Sequence, residues 1–155
     1  MKESETKDLI ISLMTENDVE EASLLEEKTF SMPWKPSDFW EMVRAPYAYF
    51  FVARLGGKLV GTIGLRDIAG EGEITNVAVD ESYKRRGIAS KLLQKAIDQC
   101  GQLEIKNITL EVRVSNEPAI GLYEKFGFRS EGIRPSFYEN PKEDAMIMWR
   151  RESGE

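Results

Sequence analysis

Ile74-Thr75-Asn76-Val77-Ala78-Val79-Asp80-Glu81-Ser82-Tyr83-Lys84-Arg85-Arg86-Gly87-Ile88-Ala89-Ser90 is the stretch on which the rest of the chain is organised. Ile74, Val77 and Val79 stand among short residues without helical spacing, so the stretch opens as a strand. A turn follows at Asp80 to Ser82. From Gly87 onward Ile88, Leu92, Leu93, Ala96, Ile97 and Cys100 recur at spacings of three, four and five, which predicts a helix. Strand, basic turn and helix N-terminus together make a device for holding an anion. The first helical N–H groups have no partner inside the helix, and the helix dipole puts partial positive charge there. Gly87 lets a ligand approach the backbone, Ala89 keeps the next turn narrow, and Lys84, Arg85 and Arg86 add formal charge. The stretch reads as a pyrophosphate cradle. A solvated basic turn before an ordinary helix start is the simpler alternative. The loop is not a P-loop, because Gly87 is followed by Ile88-Ala89-Ser90 rather than Lys-Ser/Thr. One glycine is also too few for a dinucleotide fingerprint.

Composition narrows the chemistry. A chain of 155 residues, 41% hydrophobic, is expected to form a single domain over 1–155, with residues 1–8 and 151–155 as frayed tails. Such a chain buries about 70% of its unfolded surface. No apolar run reaches 18 residues and the start is polar, so neither a membrane span nor an export signal is expected. The single cysteine, Cys100, falls on the apolar helix face and cannot form an internal disulfide, which fits a cytoplasmic setting. The net charge of −6 argues against direct nucleic-acid binding and makes the Lys84–Arg86 cluster a local exception. The chain has no histidine. Ser-His-Asp and Cys-His sites and histidine-ligated zinc are therefore excluded, and acid–base work falls to carboxylates, Tyr, Lys, Cys or water.

Around the central stretch the elements follow in order. Leu9 to Met14 reads as a strand. Thr15 with Asp18 resembles a capping pair for a helix that turns Val19, Ala22 and Leu25 inward and ends near Phe30. A loop stiffened by Pro33 and Pro36 leads to a short helix through Phe39, Trp40 and Val43. Tyr47 to Leu55 and Lys58 to Arg66, joined by Gly56-Gly57, form a hairpin, and Ala69 to Gly72 turns back into the central strand. Beyond the central helix, Asn107 to Val114 alternates as a strand. Asn116 then caps a helix bearing Ile120, Leu122, Tyr123 and Phe126, which Gly127 stops. Phe128 to Ile133 is read as a strand, Arg134 to Asp144 as a loop with two prolines, and Ala145 to Trp149 as a closing strand. The order is β-α-α-β-β-β-α-β-α-β-β: an α/β chain with a central mixed, mostly antiparallel sheet flanked by about four helices.

Three residues invite a chemical reading. Glu111 lies on the strand face opposite Leu110 and Val112, either as a solvated edge carboxylate or as a base beside a cleft, partly desolvated so that its pKa rises. Asn116 is most simply an N-cap. Tyr123, about 10 Å further along the helix, is a core aromatic by pattern, with catalytic acid as the sharper alternative.

Four segments, Asn76-Val77-Ala78-Val79-Asp80, Tyr83 to Ala89, Leu110-Glu111-Val112-Arg113-Val114-Ser115-Asn116 and Ala119 to Phe128, resemble the GNAT superfamily of acetyl-CoA-dependent N-acetyltransferases. Pro33-Trp34 after Phe30, and Phe137-Tyr138 before Glu143 to Met148, resemble its RimI-type branch, whose members acetylate the N-terminal alanine of the eighteenth small-subunit ribosomal protein. The resemblance spans Leu9 to Met148. The loop departs from the superfamily pattern in one place, with Lys84 where Gln or Arg is usual. The resemblance implies that acetyl-CoA is the co-substrate, with its pyrophosphate on Lys84, Arg85, Arg86, Gly87, Ile88, Ala89 and Ser90, mostly through backbone N–H groups. It makes Val77, Ala78 and Val79 the strand edge for the pantetheine arm, with Asn116 as a further contact. It assigns Glu111 as general base and Tyr123 as general acid, and it sets the proline-containing loops that carry Trp34 and Phe137-Tyr138 on either side of the acceptor. Trp34 and Phe137 as mere pins of their loops to the core are the simpler alternative, and nearby Glu139, Glu143 and Asp144 favour a cationic chain. No metal is required. A protein N-terminus, possibly that of a ribosomal protein, is the implied partner, with no membrane and a monomer or weak dimer as the expected state. A small amine as acceptor, or a non-catalytic acyl-CoA-binding module, are the competing readings.

Overall fold

A computed structural model describes residues 8–152. The expected tails at 1–7 and 153–155 lie outside the described residues. The element order is β1 (Ile10–Leu13), α1 (Val19–Thr29), α2 (Pro36–Arg44), β2 (Ala48–Leu55), β3 (Lys58–Ile68), β4 (Glu71–Val79), α3 (Ile88–Gln102), β5 (Asn107–Arg113), α4 (Glu117–Lys125), β6 (Arg129–Tyr138) and β7 (Glu143–Arg151). Short 3-10 turns at Glu16–Asp18 and Glu81–Tyr83 precede α1 and α3. The expected mixed sheet with four helices is what forms. Its strands run β1-β2-β3-β4-β5-β7-β6, antiparallel throughout except where β4 meets β5.

Local chemistry accounts for the element ends. Thr15 and Asp18 form a capping box, with the Thr15 N–H donating to Asp18 Oδ2 at 2.8 Å. Pro36 opens α2, where a missing N–H costs nothing. Gly56 and Gly57 both take positive φ in the β2–β3 turn, which a two-residue hairpin of this hand requires. Asn116 caps α4 by accepting from the Ala119 N–H at 3.3 Å, and Gly127, at φ +95°, ends it.

The two faces of the sheet carry separate cores. Phe50 and Val52 of β2 point to one face, where they meet Met14, Val19, Ala22 and Leu25 of the first helical layer and Phe39 and Met42 of α2. Phe51 and Ala53 point to the other, against Ile88, Leu92, Leu93 and Ala96 of α3, and Leu110, Val112, Tyr123 and Phe128 complete that core. Cys100 lies buried in it, as the spacing predicts. Burial there pushes the thiol up to about 11, so it stays a small hydrophobe.

Two expectations need correcting. Arg134 to Asp144 is not one long loop: β6 continues to Tyr138 and β7 begins at Glu143. The pairing jumps from Arg134↔Ala145 to Tyr138↔Glu143, so Pro135, Ser136 and Phe137 form a bulge on an edge strand. That is where a proline, which cannot donate to a ladder, is tolerated. Phe137 and Tyr138 therefore stand on a strand and not in a loop. Nor is Arg151 a frayed end. It pairs with Asn107, and its guanidinium meets the Glu131 carboxylate at 2.8 Å.

One irregularity shapes the centre of the sheet. In the β3–β4 ladder Ile63 faces Val77 but Leu65 faces Ile74, so β4 carries an extra residue at Thr75-Asn76. Bulges bend and over-twist the strand that holds them. Parallel pairing of β4 with β5 is confined to three residue pairs, Gly72↔Ile108, Glu73↔Thr109 and Ile74↔Leu110, and stops at the bulge. Val77 to Val79 remain paired to β3 on one side and leave their other edge open.

Gly64 faces this bulge. A Cβ there would sit 2.7 Å from Asn76 Oδ1 and closer still to the Phe50 ring and Thr75 Oγ1. Gly64→Ala is expected to destabilise the chain by about 1–3 kcal/mol through overpacking, read as a lower urea midpoint. An unchanged midpoint would show that the bulge yields freely.

Candidate active site

The cleft opened by β4 and β5 has the α3 N-terminus near one end. Gly87 caps that helix in the left-handed region, at φ +79°, and Arg85 two residues earlier has φ +66°. A Cβ on Gly87 would touch nothing within 4 Å, so its backbone conformation, and not crowding, calls for glycine. The first backbone bond of α3 runs from Lys91 N–H to the Gly87 carbonyl at 3.0 Å. The N–H groups of Ile88, Ala89 and Ser90 therefore precede the helix's own ladder. The turn before them is braced. Asp80 Oδ1 accepts from the Ser82 N–H at 2.9 Å, Lys58 Nζ lies 3.7 Å from Asp80 Oδ2, and the Tyr83 ring carries Lys58 Nζ at 5.1 Å and the Arg86 guanidinium at 5.0 Å. Lys84 leans on exposed Glu81 at 3.4 Å, a weak surface pair that leaves its charge beside the turn. Together these groups fit a diphosphate: donors ahead of the helical ladder, a positive dipole end and basic side chains.

A second cluster forms where β5, β6 and β7 pass the far side of the cleft. Leu110 and Val112 enter the α3-side core, so Glu111 points to the face that carries α1 and α2. Its Oε2 lies 3.0 Å from Arg134 Nη2, reached across β7 from β6. The Arg134 guanidinium stands 5.4 Å from the Phe137 ring, which meets Tyr138 edge-on at 5.0 Å. Arg113, two residues from Glu111, organises the β6–β7 turn. It donates to the Pro141 carbonyl at 2.9 Å, the Glu139 carbonyl at 2.8 Å and Glu143 Oε1 at 3.0 Å, and lies 4.5 Å over Tyr138. Glu143 also accepts from the Ser115 N–H, and Asp144 from the Ser136 N–H, each at 2.8 Å. These two carboxylates brace strands, while among the described residues the Glu139 carboxylate accepts no such bond.

Tyr123 projects from α4 into the opposite core, 8% exposed, with its ring 5.9 Å from Phe128. Its hydroxyl makes no hydrogen bond among the described residues. Burial, and then the neighbouring Tyr138, raise it well above the ordinary tyrosine range. Tyr138 is pushed up to about 12, by burial first, then by the Glu111 carboxylate, with Arg113 pulling the other way. Both phenols keep their protons at neutral pH and serve as donors. The influence of Tyr138 on Tyr123, and of Glu111 on Tyr138, marks the three as one electrostatic neighbourhood.

The third aromatic, Trp34, belongs to the α1–α2 loop. Its half-buried ring packs 5.3 Å from Phe39 and 5.4 Å from Phe50, which pins that loop to the core on the face Glu111 shares. Contacts thus link Glu111 through Arg134 to Phe137 and Tyr138, while Tyr123 lies in the core on the other face of the sheet, within the electrostatic reach of Tyr138. Asn116 caps α4 as read. The linear chain assigns no role to Arg113, Arg134, Asn76 or Glu26. For Glu26 a signal exists: it falls four residues after Ala22 and seven after Val19, on the helix face that should be apolar.

Comparison with known proteins agrees with this geometry. The acetyltransferase (GNAT) family model matches residues 19–128. A putative ribosomal protein bS18-alanine N-acetyltransferase of Bacillus subtilis is 36% identical over 133 residues, covering 85% of this chain and 88% of the relative. The N-alpha-acetyltransferase RimI of Mycobacterium tuberculosis is 33% identical and covers 98% of both chains. The crystal structure of the ribosomal-protein-S18-alanine N-acetyltransferase from Escherichia coli superposes with a TM-score of 0.85 at 30% identity, over 95% of this chain and 97% of that one. With its bulged β4, its helix-capped turn and a family match over most of its length, the chain belongs to the GNAT family of acetyltransferases.

Proposed function

We propose that this chain moves the acetyl group of acetyl-CoA to the N-terminal α-amine of a protein, with the alanine end of a small-subunit ribosomal protein as the acceptor. The observation that carries the reading is the β4–β5 cleft, with an anion cradle at one end and a carboxylate–tyrosine cluster at the other. The identities above 30% to enzymes named for bS18 alanine support the choice of acceptor. A ribosomal acceptor puts the reaction in the cytoplasm.

The pyrophosphate lies on the backbone N–H groups from Arg85 to Ser90. The pantetheine arm runs along the open edge of Val77, Ala78 and Val79 as an added strand, with Asn116 beside it. The acceptor enters on the α1–α2 face between Trp34 and Phe137-Tyr138. An α-amino group has a pKa of about 7.7–8.0, so a fraction is already neutral near pH 7. Glu111, through water, takes the remaining proton. The amine nitrogen attacks the thioester carbonyl carbon, and the resulting oxyanion is met by a β4 N–H near Val79. The C–S bond then breaks, the sulfur keeps the electron pair, and Tyr123 gives it a proton. The high proton affinity of Tyr123 keeps it in the donor form that this step needs.

Three outcomes test the scheme. Gly87→Val should weaken acetyl-CoA binding at least tenfold by calorimetry, about 1.4 kcal/mol, in a variant that still unfolds cooperatively. Unchanged affinity would remove the cradle. Tyr123→Phe keeps the ring against Phe128 but removes the donor, so kcat should fall about 10²- to 10⁴-fold while acetyl-CoA binds normally. Near-normal kcat would return Tyr123 to the core. Glu111→Gln should slow turnover most at neutral pH and less above the amine's pKa, where the nucleophile deprotonates unaided. A deficit that stays flat with pH would make Glu111 a binding group.

The acceptor is tested separately. A panel of N-terminal peptides, lysine peptides and small amines, read by mass, should show best transfer to a peptide beginning with Ala. The half-exposed Phe137 can be truncated with little loss of core, so Phe137→Ala should raise peptide KM and leave acetyl-CoA affinity unchanged. Faster acetylation of polyamines or free lysine side chains than of every N-terminal peptide would reject the protein acceptor and keep the acetyltransferase.

A further inference from the structure

Glu26 is the anomaly of the α1–α2 face. It lies near the end of α1, 2% exposed, and among the described residues no cation forms an ion pair with it. Buried carboxylates are normally paired or held neutral, because an unpaired charge in an apolar setting is costly. Two donors face this one. Asn76 Nδ2 donates to Glu26 Oε1 at 3.0 Å, and the backbone N–H of Trp34 lies beside the carboxylate. Asn76 is itself steered by Thr75, whose hydroxyl donates to Asn76 Oδ1 at 2.7 Å. Thr75 and Asn76 are the bulge at which β4 leaves β5, and Trp34 anchors the α1–α2 loop. One carboxylate therefore ties the bulged strand to the loop on the face that Glu111 shares.

We infer that Glu26 is a positioning residue for the acceptor: its carboxylate ties the β4 bulge and the Trp34 loop into the walls between which the amine is presented to the thioester. The inference rests on the reading that the acceptor enters on the α1–α2 face. A carboxylate offers acceptors only, and both facing groups are donors. A glutamine replaces one of the two acceptor atoms by a donor N–H₂ and so brings a donor into a site lined by donors. An aliphatic residue would pack there and leave both donors unsatisfied.

The stability effect has the opposite sign from that of an ordinary brace. Burial raises the Glu26 carboxyl above its usual value, with Asn76 and the Trp34 N–H opposing that shift. A native state that holds the proton more tightly than the unfolded chain gains stability at low pH. It loses that gain as pH rises from the unfolded value through the raised native one. Ionising Glu26 thus costs the fold stability and does not supply it.

The experiment compares the full chain with Glu26→Gln and with Glu26→Gln/Asn76→Asp. In the double variant the amide oxygen introduced at position 26 can accept from the Trp34 N–H, while the amide N–H₂ donates to the carboxylate introduced at position 76. The lock is thereby rebuilt with its polarity exchanged. The assay uses whichever amine the wild-type chain acetylates best. Glu26→Gln should lower acceptor kcat/KM about 10- to 100-fold, the cost of a displaced reactant. Acetyl-CoA affinity by calorimetry should stay within about twofold, and the melting temperature at pH 7.5 should be unchanged or higher. The double variant should recover most of kcat/KM. Normal kcat/KM in Glu26→Gln, a loss that the double variant does not repair, or a parallel fall in acetyl-CoA affinity would each overturn the inference. A small amine as the best acceptor would reject the proposed substrate while leaving the Glu26 comparison intact.

Discussion

Everything in this molecule turns on where β4 stops pairing with β5. Three residue pairs hold the two strands together, and one extra residue at Thr75-Asn76 bends β4 away from its neighbour. A sheet interior that leaves backbone N–H and C=O groups without partners incurs a desolvation cost, so such an opening must be forced by its surroundings. Here the forcing groups are Gly64, which has no side chain to resist the bulge, and the Asn76–Glu26 bond, which holds it from the other face. The unpaired edge at Val77 to Val79 is then an internal edge strand, sheltered from aggregation and ready for an extended ligand arm.

The charges divide along the same line. On one side, Gly87 and the start of α3 offer donors and positive potential without a single carboxylate in the first helical turn. On the other, burial discourages both Tyr123 and Tyr138 from ionising, and the Glu111 carboxylate adds to this at Tyr138. Such an asymmetry matches the proposed acetyl donor, which has a polyanionic tail and a neutral thioester head. Glu111 and Tyr123 lie on different faces of the sheet, with the gap between β4 and β5 beside both.

Rigid bracing surrounds the acceptor side. Arg113 makes three hydrogen bonds and an aromatic contact to the β6–β7 turn, Glu143 and Asp144 hold backbone N–H groups, and Arg134 spans β7 to reach Glu111. Side chains that looked available for substrate in the linear chain are largely consumed in shaping the wall. The surfaces left uncommitted on this face are the aromatic ones of Phe137 and Tyr138, beside the loop pinned by Trp34.

The linear chain determined a good deal. Element order, the mixed sheet, the Thr15–Asp18 and Asn116 caps, the Gly56-Gly57 hairpin and the helix start at Gly87 all follow from nearest-neighbour chemistry, because periodicity, capping and left-handed φ are local properties. Glu111 and Tyr123 were legible as candidates through motif alone, since their neighbourhood joins α4 to β5 and β6. The tertiary structure decided what depends on partners distant in sequence. The β4 bulge is set by what Gly64 and Glu26 press against it. The Pro135 to Phe137 segment breaks alternation yet stays in the sheet because β7 pairs on both sides of it. Glu26 and Asn76 are 50 positions apart in the chain, and burial turns a charge on an apolar helix face from an irregular pattern into a lock. No local rule contains that distance; only the packing of α1 against β4 supplies it.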